Sequence, residues 1–442
     1  MYIERKIDVE LLAWKNSPFR KPLLVRGARQ VGKSTAIRNL SNQFEYFIEV
    51  NFDEQPEYKE LFANTSEIDD LLEQLSIIKG IPIIEGRTLV FLDEIQASLP
   101  AISRLRYFYE RKPNLHVIAA GSLLEFALTD LPSFGVGRVR SIFMYPFSFN
   151  EFLVAINEKS LVNLLKQSNS NKPVNAITHK KLITYFKKFL IIGGMPQAVQ
   201  TYIEKGDLLE VQRILDDLII AIQADFAKYK KQIPPAGIKS VFDSIVKQVG
   251  SKFKYSNDFT SLTNPMVKQV IDLLEMAGLI HRVTHSSSNG IPLGAEINSK
   301  KTKLLIFDTG IYQRILGLDV ATLLLKSEFE VVNKGNIAEL FVGLELIKSN
   351  DCYERNSLYY WHREARNSQA EVDFVIQKNG KIIPIEVKAG TKGAMQSMFL
   401  FMKEKKATVG VRLSLENFTC YENVYVFPLY SVSTVYSDFE ME

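Results

Sequence analysis

One short stretch constrains the fold more than any other feature of the sequence, because it fits the pattern G-x-x-x-x-G-K-[ST]. It reads Gly27, Ala28, Arg29, Gln30, Val31, Gly32, Lys33 and Ser34. An apolar run at 21–26 predicts a strand before it, and an amphipathic pattern at 34–44 predicts a helix after it. The glycines let the backbone curl around phosphate oxygens, while the N–H groups and the positive end of the helix favour an anion. The sequence therefore predicts a phosphate-binding loop between a strand and a helix.

The loop residues and an acidic pair further along the chain have distinct expected roles in binding ATP. The loop and the residue after it, Thr35, should surround the phosphates, with Lys33 reaching the β- and γ-phosphates and the Ser34 hydroxyl ligating Mg²⁺. The stretch 88–94 (TLVFLDE) predicts a buried strand that delivers Asp93 and Glu94 to the carboxyl end of the sheet, where ligands bind. We expect Asp93 to hold Mg²⁺ through water and Glu94 to polarise the attacking water. The alternative, a strand that ends in solvated acids, is common for a strand considered alone.

The first third of the chain alternates strand and helix patterns. Strand patterns occur at 21–26, 45–52, 88–92 and 115–120, and helical patterns lie between them at 34–44, 68–79 and 101–111. This alternation predicts an α/β fold with a mainly parallel sheet and helices on both faces. The strand at 115–120 leads into Gly121 and Ser122, where a polar side chain can hold the lytic water or sense the γ-phosphate. A second interpretation fits Ser122 equally well: it caps the helix that follows.

Length and composition limit the class of protein. At roughly 150 residues per domain, 442 residues correspond to about three domains. Hydrophobic residues make up 46% and charged residues 24%, which excludes a mostly disordered chain, and a net charge of +4 does not by itself indicate a nucleic-acid partner. Cys352 and Cys420 form neither a disulfide framework nor a metal motif. Because we see no secretory signal and no membrane-spanning run, we expect a cytoplasmic protein without a membrane partner.

Four segments are expected along the chain. We predict a phosphate-binding domain at 1–155, a helical lid or linker region at 156–232, a winged-helix domain at 233–330 and a C-terminal α/β domain at 331–442. The polar stretch 158–181 predicts an exposed loop. The outline of a winged helix-turn-helix comes from helical patterns at 237–249 and 267–277 and from strand patterns at 279–284 and 303–307.

These motifs resemble those of AAA-type ATPases, within the additional-strand division of the P-loop NTPases, and they match one prokaryotic subgroup, the archaeal-type ATPases, more closely. The resemblance also includes Gly137-Arg138 and the stretches 145–152 (YPFSFNEF), 193–196 (GGMP) and 307–310 (FDTG). It implies a P-loop NTPase parallel sheet of the additional-strand type. It further implies a winged helix followed by a C-terminal domain with a restriction-endonuclease-like fold.

The resemblance also implies a role for an arginine. In AAA-type proteins a neighbouring subunit usually supplies an arginine that senses or stabilises the γ-phosphate, and Arg138 matches that position, which implies a homo-oligomer. Arg140 is close enough in sequence to compete for the role. The alternative is a surface arginine that binds a helix end or a carboxylate.

Lysines concentrate in the expected winged helix. Between 228 and 256 they are Lys228, Lys230, Lys231, Lys239, Lys247, Lys252 and Lys254, and the expected wing adds Lys300, Lys301 and Lys303. Such a unit could place its second helix, with Lys268 and Gln269 near the start, in the major groove of DNA while lysines neutralise phosphates. The same helix carries Asp272 and Glu275, which weakens this interpretation. The alternative is a winged helix that binds a protein.

A hairpin in the last segment brings acidic residues together. Asn379-Gly380 between two alternating runs predicts a two-residue turn. In that register Lys378 pairs with Lys381, Asp373 lies opposite Glu386, and Glu371 lies opposite Lys388, with the last four side chains on one face. Carboxylates that face each other repel, and a divalent metal would give a reason to keep them together.

The hairpin resembles the catalytic core of PD-(D/E)xK nucleases. By that resemblance Asp373 and Glu386 would ligate Mg²⁺, Lys388 would orient the attacking water, and Glu339 would be the extra acid that many of these enzymes carry. Two alternatives remain: a solvated face with Glu371 and Lys388 as an ion pair, or the same fold without its chemistry.

Two functions follow from these observations. The first is an ATPase that couples nucleotide state to DNA binding and to metal-dependent cleavage. The second is a regulatory ATPase without nuclease activity, whose C-terminal domains bind a protein partner. Both hypotheses share the ATP site.

Overall fold

A computed structural model describes residues 2–129, 137–229, 233–255, 262–318, 334–364, 369–391 and 393–437. The chain divides into two compact units. The first unit contains the residues up to Pro146 together with the short segments Met276–Gly278 and Asp351–Arg355, and the second contains the remainder. Among the helices described, none is long and apolar enough to span a lipid bilayer.

The first unit alternates helices and strands. Its helices are α1 (Lys6–Asn16), α2 (Lys33–Ser41), α3 (Glu57–Asn64), α4 (Ile68–Lys79), α5 (Leu99–Arg111) and α6 (Leu124–Thr129). Its strands are β1 (Leu23–Arg26), β2 (Tyr46–Asn51), β3 (Thr88–Asp93), β4 (His116–Ala120) and β5 (Arg140–Phe143).

The strands of the first unit form one parallel sheet with the order β2-β3-β4-β1-β5. Every side chain of β3 and β4 is buried, as in parallel sheets that are covered on both faces. The prediction of an α/β fold with a parallel sheet typical of P-loop NTPases is confirmed. Because β4 lies between β1 and β3, the strand before the phosphate-binding loop and the strand that ends in Asp93 are not neighbours.

The second unit combines helices with a larger mixed sheet. Its helices are α7 (Phe149–Ala155), α8 (Lys159–Lys166), α9 (Ala176–Ile192), α10 (Pro196–Lys205), α11 (Leu208–Asp225), α12 (Pro235–Gln248), α13 (Asn264–Met276), α14 (Thr309–Ile315), α15 (Lys334–Ser349), α16 (Gln396–Lys405) and α17 (Thr434–Ser437). Its strands are β6 (Ile280–Ser286), β7 (Ile297–Ile306), β8 (Leu358–His362), β9 (Glu371–Lys378), β10 (Lys381–Val387), β11 (Gly410–Ser414), β12 (Thr419–Tyr421) and β13 (Val424–Pro428).

The predicted domain boundaries differ from this arrangement. Apart from Met276–Gly278 and Asp351–Arg355, the described residues of the expected helical, winged-helix and C-terminal domains belong to the second unit, and α7 joins them although it lies before the boundary at 155. The elements α12, α13 and the antiparallel pair β6–β7 occur in the order expected for a winged helix, but β6 also pairs in parallel with β8. The sheet order β12-β13-β11-β10-β9-β8-β6-β7 is therefore continuous across the boundary predicted at 330. This pairing satisfies backbone groups that β6 would otherwise expose.

The expected loop at 158–181 is partly helical, which is a second difference from the prediction. Helix α8 occupies its first part, and α9 begins at Ala176. Leu161, Val162 and Leu165 are buried along one face of α8. Burial of these side chains at helical spacing outweighs the polar composition around them.

The hairpin predicted around Asn379-Gly380 is present. Lys378 pairs with Lys381, and the register continues to Phe374 opposite Ile385. Asn379 and Gly380 have φ values of 49° and 74°, the positive values that a two-residue type I′ turn requires. The two turn residues therefore determine how β9 pairs with β10, the strands that carry Asp373 and Glu386.

Three of the stretches that carry the family resemblance meet within the second unit. The Asp308 carboxylate accepts hydrogen bonds from the N–H groups of Gly194 (2.6 Å) and Ile311 (3.0 Å), and the Phe147 N–H donates to the Gly194 carbonyl (2.7 Å). A Cβ atom on Gly193 would lie 2.2 Å from Asp308 Oδ1, so only glycine fits there. Burial raises the pKa of Asp308, and the N–H donors oppose that shift. These stretches therefore have a packing role in this unit.

Replacing Asp308 with alanine is expected to lower the free energy of unfolding by about 3 kcal/mol, because two buried N–H groups lose their acceptor and α14 loses its N-cap. Asp308→Asn keeps one oxygen that can cap α14 but turns its NH2 group toward the N–H of Gly194, so it should recover only part of this loss. Urea unfolding of the second unit would measure both midpoints. Equal losses in the two variants would contradict this role.

Candidate functional site

The loop after β1 has the backbone that phosphate binding requires. Gly27, Gln30 and Gly32 have φ values of 144°, 56° and 96°. A Cβ atom on Gly27 would lie 2.1 Å from the carbonyl oxygen of Met144, so a larger residue cannot occupy this position. Gly32 is the N-cap of α2, and the free N–H groups of the first helical turn therefore follow the loop directly.

The Lys33 ammonium lies inside this loop. Its Nζ donates to the carbonyl oxygens of Gly27 (2.9 Å) and Ala28 (2.7 Å). Burial lowers the pKa of Lys33 to about 8, and the negative charges of Glu94 and Asp93 oppose this shift. The loop thus holds a buried cation that an anionic ligand would stabilise.

The two residues predicted to hold Mg²⁺ lie together. The Ser34 hydroxyl hydrogen-bonds to the Asp93 carboxylate, whose Oδ1 also accepts from the Glu94 N–H at 3.0 Å. Burial raises the pKa of Asp93, and these hydrogen bonds oppose the shift. A hydroxyl beside a carboxylate is an oxygen donor set of the kind that Mg²⁺ prefers, so these residues fit the ion.

Glu94 follows Asp93 in a left-handed backbone conformation with a φ of 49°. Its carboxylate accepts a hydrogen bond from Gln96 Nε2 at 2.5 Å. Gln96 Oε1 lies so close to Gly121 that a Cβ atom there would be only 2.0 Å away. Gln96 therefore connects Glu94 to the segment that carries Ser122. The sequence patterns did not indicate Gln96, and its position two residues after Glu94 is the one local signal that points to it.

Ser122 is buried two residues beyond the end of β4. Because β4 lies between β1 and β3, the carboxyl end of β4 is between the phosphate-binding loop and Asp93 in the sheet order. This location suits the predicted water-holding or phosphate-sensing role, which stays a prediction.

Within one chain, neither Arg138 nor Arg140 lies at the carboxyl edge of the sheet, where the phosphate-binding loop begins. Arg140 begins β5 opposite Leu23, the first residue of β1, and therefore lies at the edge away from the loop. Its guanidinium lies over the ring of Tyr353 at 5.5 Å. Arg138 precedes Arg140 and forms an ion pair with Glu110 of α5. Arg138 thus behaves as a surface arginine that binds a carboxylate, and contact with a nucleotide would require another copy of the chain.

A third arginine, Arg5, supports the loop, although the sequence patterns did not indicate it. The buried Arg5 guanidinium donates to the carbonyl oxygens of Val31 (3.1 Å) and Tyr145 (2.8 Å). It therefore ties the start of α1 to the loop backbone. Nothing in the local pattern around Arg5 distinguishes it from a solvated residue.

The three acidic residues predicted to ligate a second metal ion are instead paired with lysines and a backbone N–H group. Glu339 binds Lys303 (2.8 Å), Glu386 binds Lys388 (2.6 Å), and Asp373 accepts from the Val387 N–H (2.8 Å). The alternative prediction, an ion pair between Glu371 and Lys388, does not match the structure either. Glu371 binds Lys303 at 2.6 Å, and Lys388 binds Glu386. Within the part of the chain that the structure describes, no group of three or more histidine, cysteine or acidic side chains is arranged to hold a metal ion.

Many of the lysines expected to contact DNA have acidic partners. Ion pairs join Lys228 to Asp225, Lys239 to Asp243, Lys252 to Glu371 and Lys301 to Glu364. Lys303 is fully buried, so the expectation that it contacts phosphates from the wing is wrong. On α13, Asp272 and Glu275 bind Arg282. Lys230 and Lys231 lie outside the described residues.

Known families match the chain in three stretches. An AAA domain matches residues 19–153, a domain of unknown function (DUF8612) matches 183–322, and another (DUF4143) matches 334–432. Residues 19–153 therefore form an AAA-type ATPase-like domain, in agreement with the loop geometry. The other two matches assign no function.

Relatives in two organisms resemble the chain. An uncharacterized protein of Methanocaldococcus jannaschii is 24% identical over 297 residues, which cover 63% of this chain and 61% of the relative, so less than two thirds of that relative is spanned. An uncharacterized protein of Haemophilus influenzae is 23% identical over 396 residues, covering 86% of this chain and 84% of the relative. Among solved structures, the Walker-type ATPase of Pyrococcus abyssi superposes with a TM-score of 0.45 at 15% identity, over 71% of this chain and 96% of that chain.

The buried Lys33 leads to a prediction about pH. Phosphates stabilise the ammonium, so binding of ATP should take up a proton when pH exceeds the pKa of about 8 that Lys33 has in the free protein. Affinity should then fall up to roughly tenfold per pH unit above that value. Calorimetry of ATP binding at pH 7 and 9, in buffers of different ionisation enthalpy, would measure the affinity and the proton uptake. Constant affinity without proton uptake would contradict this state of Lys33.

Proposed function

We propose that the chain binds ATP with Mg²⁺ at the loop after β1 and hydrolyses it, and that the second unit uses the nucleotide state to regulate binding of a protein partner. The observation that carries the ATPase proposal is the grouping of Lys33, Ser34, Asp93 and Glu94 at the carboxyl ends of β1 and β3. The match of residues 19–153 to an AAA domain supports it.

Each residue has a role that its contacts support. Lys33 would exchange the carbonyls of Gly27 and Ala28 for phosphate oxygens, and Ser34 and Asp93 would hold Mg²⁺. The ion, when bound, supplies positive charge that neutralises the phosphates. The Glu94 carboxylate would accept a proton from, or orient, the attacking water.

Gln96 and Arg138 extend this mechanism. Gln96 donates a hydrogen bond to one oxygen of the Glu94 carboxylate and would thereby fix its orientation. By family resemblance, Arg138 of a neighbouring copy would stabilise charge on the γ-phosphate. For this role Arg138 must leave Glu110, its partner within the chain.

The choice of a protein partner over DNA rests on charge. Acidic residues neutralise Lys228, Lys239, Lys252 and Lys301, and such neutralised lysines release few counterions from DNA.

A DNA shift assay would separate the two hypotheses. We expect little binding at ~50 mM salt, where neutralisation of phosphates is strongest, with or without ATP. Tight binding at this salt concentration, lost by ~200 mM, would favour the DNA-coupled ATPase instead. Phosphate release measured in the same samples would show that the ATPase is active in either case.

A further inference from the structure

A group of charged side chains, three of them buried and four partly exposed, lies in the second unit where α15, β7, β9 and β10 approach one another. We refer to it as the charge cluster. Its acids are Glu339, Glu371, Asp373 and Glu386, and its lysines are Lys252, Lys303 and Lys388. It contains every residue for which the nuclease resemblance implies a metal-related role.

Lys303 is at the centre of the charge cluster. Its side chain is 0% exposed, and Nζ lies 2.8 Å from Glu339 Oε1, 2.6 Å from Glu371 Oε1 and 3.9 Å from Asp373 Oδ1. The ammonium also lies 5.3 Å from the centre of the Tyr360 ring. Burial opposes the charged form of Lys303, but the attraction of the three acids outweighs burial and raises its pKa. Lys303 is therefore a buried cation surrounded by anionic oxygens.

Several of the other carboxylate oxygens in the charge cluster also have partners. Lys252 lies 3.5 Å from Glu371 Oε2, Lys388 binds Glu386 Oε1, and the Val387 N–H binds Asp373 Oδ2. Within the described residues, Glu386 Oε2 is the buried oxygen of this cluster that lacks a hydrogen-bond partner. Mg²⁺ demands near-ideal octahedral coordination by oxygens at about 2.0–2.1 Å. Apart from Glu386 Oε2, the carboxylate oxygens named above already contact an ammonium group or an N–H. The charge cluster therefore does not offer the set of free oxygens that this ion requires.

We infer that the charge cluster is a lysine-filled counterpart of a nuclease metal site: the Lys303 ammonium supplies the positive charge that a divalent ion would supply. Lys303 belongs to β7, whereas Glu339 belongs to α15 and Glu371 to β9. The cluster therefore fastens the β6–β7 hairpin to the rest of the sheet. It does not bind metal and does not cut nucleic acid by metal-dependent chemistry. This inference is independent of the proposed ATPase activity.

The first test uses Mn²⁺ alone as the probe, on the full chain without nucleotide. A ligand that binds only the folded state raises the melting temperature. We expect Mn²⁺ to change the melting temperatures of the wild type and of Asp373→Asn equally, relative to EDTA. A Mn²⁺-dependent rise in the wild type that Asp373→Asn abolishes would overturn the inference.

The second test removes the ammonium. Lys303→Met retains a long side chain but leaves the acids without their central cation, and the melting temperature should fall by on the order of 10 °C. Lys301→Met, at a half-buried position two residues earlier on β7 with its own partner Glu364, is the matched control and should change the melting temperature little. If Lys303→Met does not fold, adding Glu339→Gln should restore folding, because it removes one of the unpaired acids. A stable Lys303→Met protein, or a double variant no better than the single one, would contradict the role of Lys303.

Discussion

Replacing Glu94 with glutamine is expected to reduce the rate of ATP hydrolysis by roughly 10²- to 10⁴-fold while ATP binding stays close to that of the wild type. Glutamine preserves the shape of the side chain but cannot accept a proton from water. The groups that bind the phosphates, Lys33 and the loop backbone, are unchanged, as is the Ser34–Asp93 pair. Single-turnover phosphate release and nucleotide binding would be measured separately.

The control for Glu94 is Glu73→Gln on α4, where the side chain is exposed. This substitution removes the same charge from the first unit and should leave turnover unchanged. Wild-type turnover in Glu94→Gln would show that another group activates the water. Loss of both binding and turnover would show that Glu94 contributes to the phosphate site itself.

Replacing Lys33 with alanine is expected to weaken ATP binding by about 100-fold or more, because the loop loses the ammonium group that lies within it. Loss of a charged hydrogen bond to phosphate costs about 1.5–3 kcal/mol, and Lys33 can donate more than one. The fold should persist, since burial of the ammonium already disfavours its charged form, as the lowered pKa indicates. Calorimetric titration with ATP and Mg²⁺, together with a thermal melt, would measure the two effects.

Lys180→Ala, an exposed position on α9, is the matched control for Lys33. It should bind ATP like the wild type. Unchanged affinity in Lys33→Ala would place the phosphates elsewhere. A large drop in its melting temperature without nucleotide would instead assign Lys33 a role in folding.

Local sequence patterns were sufficient for the phosphate site and for one hairpin. The phosphate-binding loop depends on residues that are close in sequence: Gly27, Gly32 and Lys33. Both glycines have the positive φ values that such a loop requires. Asn379-Gly380 likewise fixes the β9–β10 register through its own φ values. Such features are predictable because their physical cause lies within a few residues.

Features that depend on distant parts of the chain could not be predicted. The pairing of β6 with β8 joins Val283 to Leu358, and neither strand pattern indicates its partner. In the sequence pattern Lys303 resembles a solvent-exposed lysine of a wing. In the structure it is buried and forms ion pairs with Glu339 of α15 and Glu371 of β9. The same limit applies to Arg5 and Arg138, whose partners lie far away in sequence.

Release of γ-phosphate from ATP by the purified full chain with Mg²⁺ tests the central claim most directly. Wild type and Lys33→Ala would be prepared identically and compared at several protein concentrations, since a neighbouring copy is expected to supply Arg138. We predict phosphate release by the wild type that is nearly abolished in Lys33→Ala. Equal release by both proteins, or no release by wild-type protein that binds ATP at every concentration, would contradict an ATPase at this site.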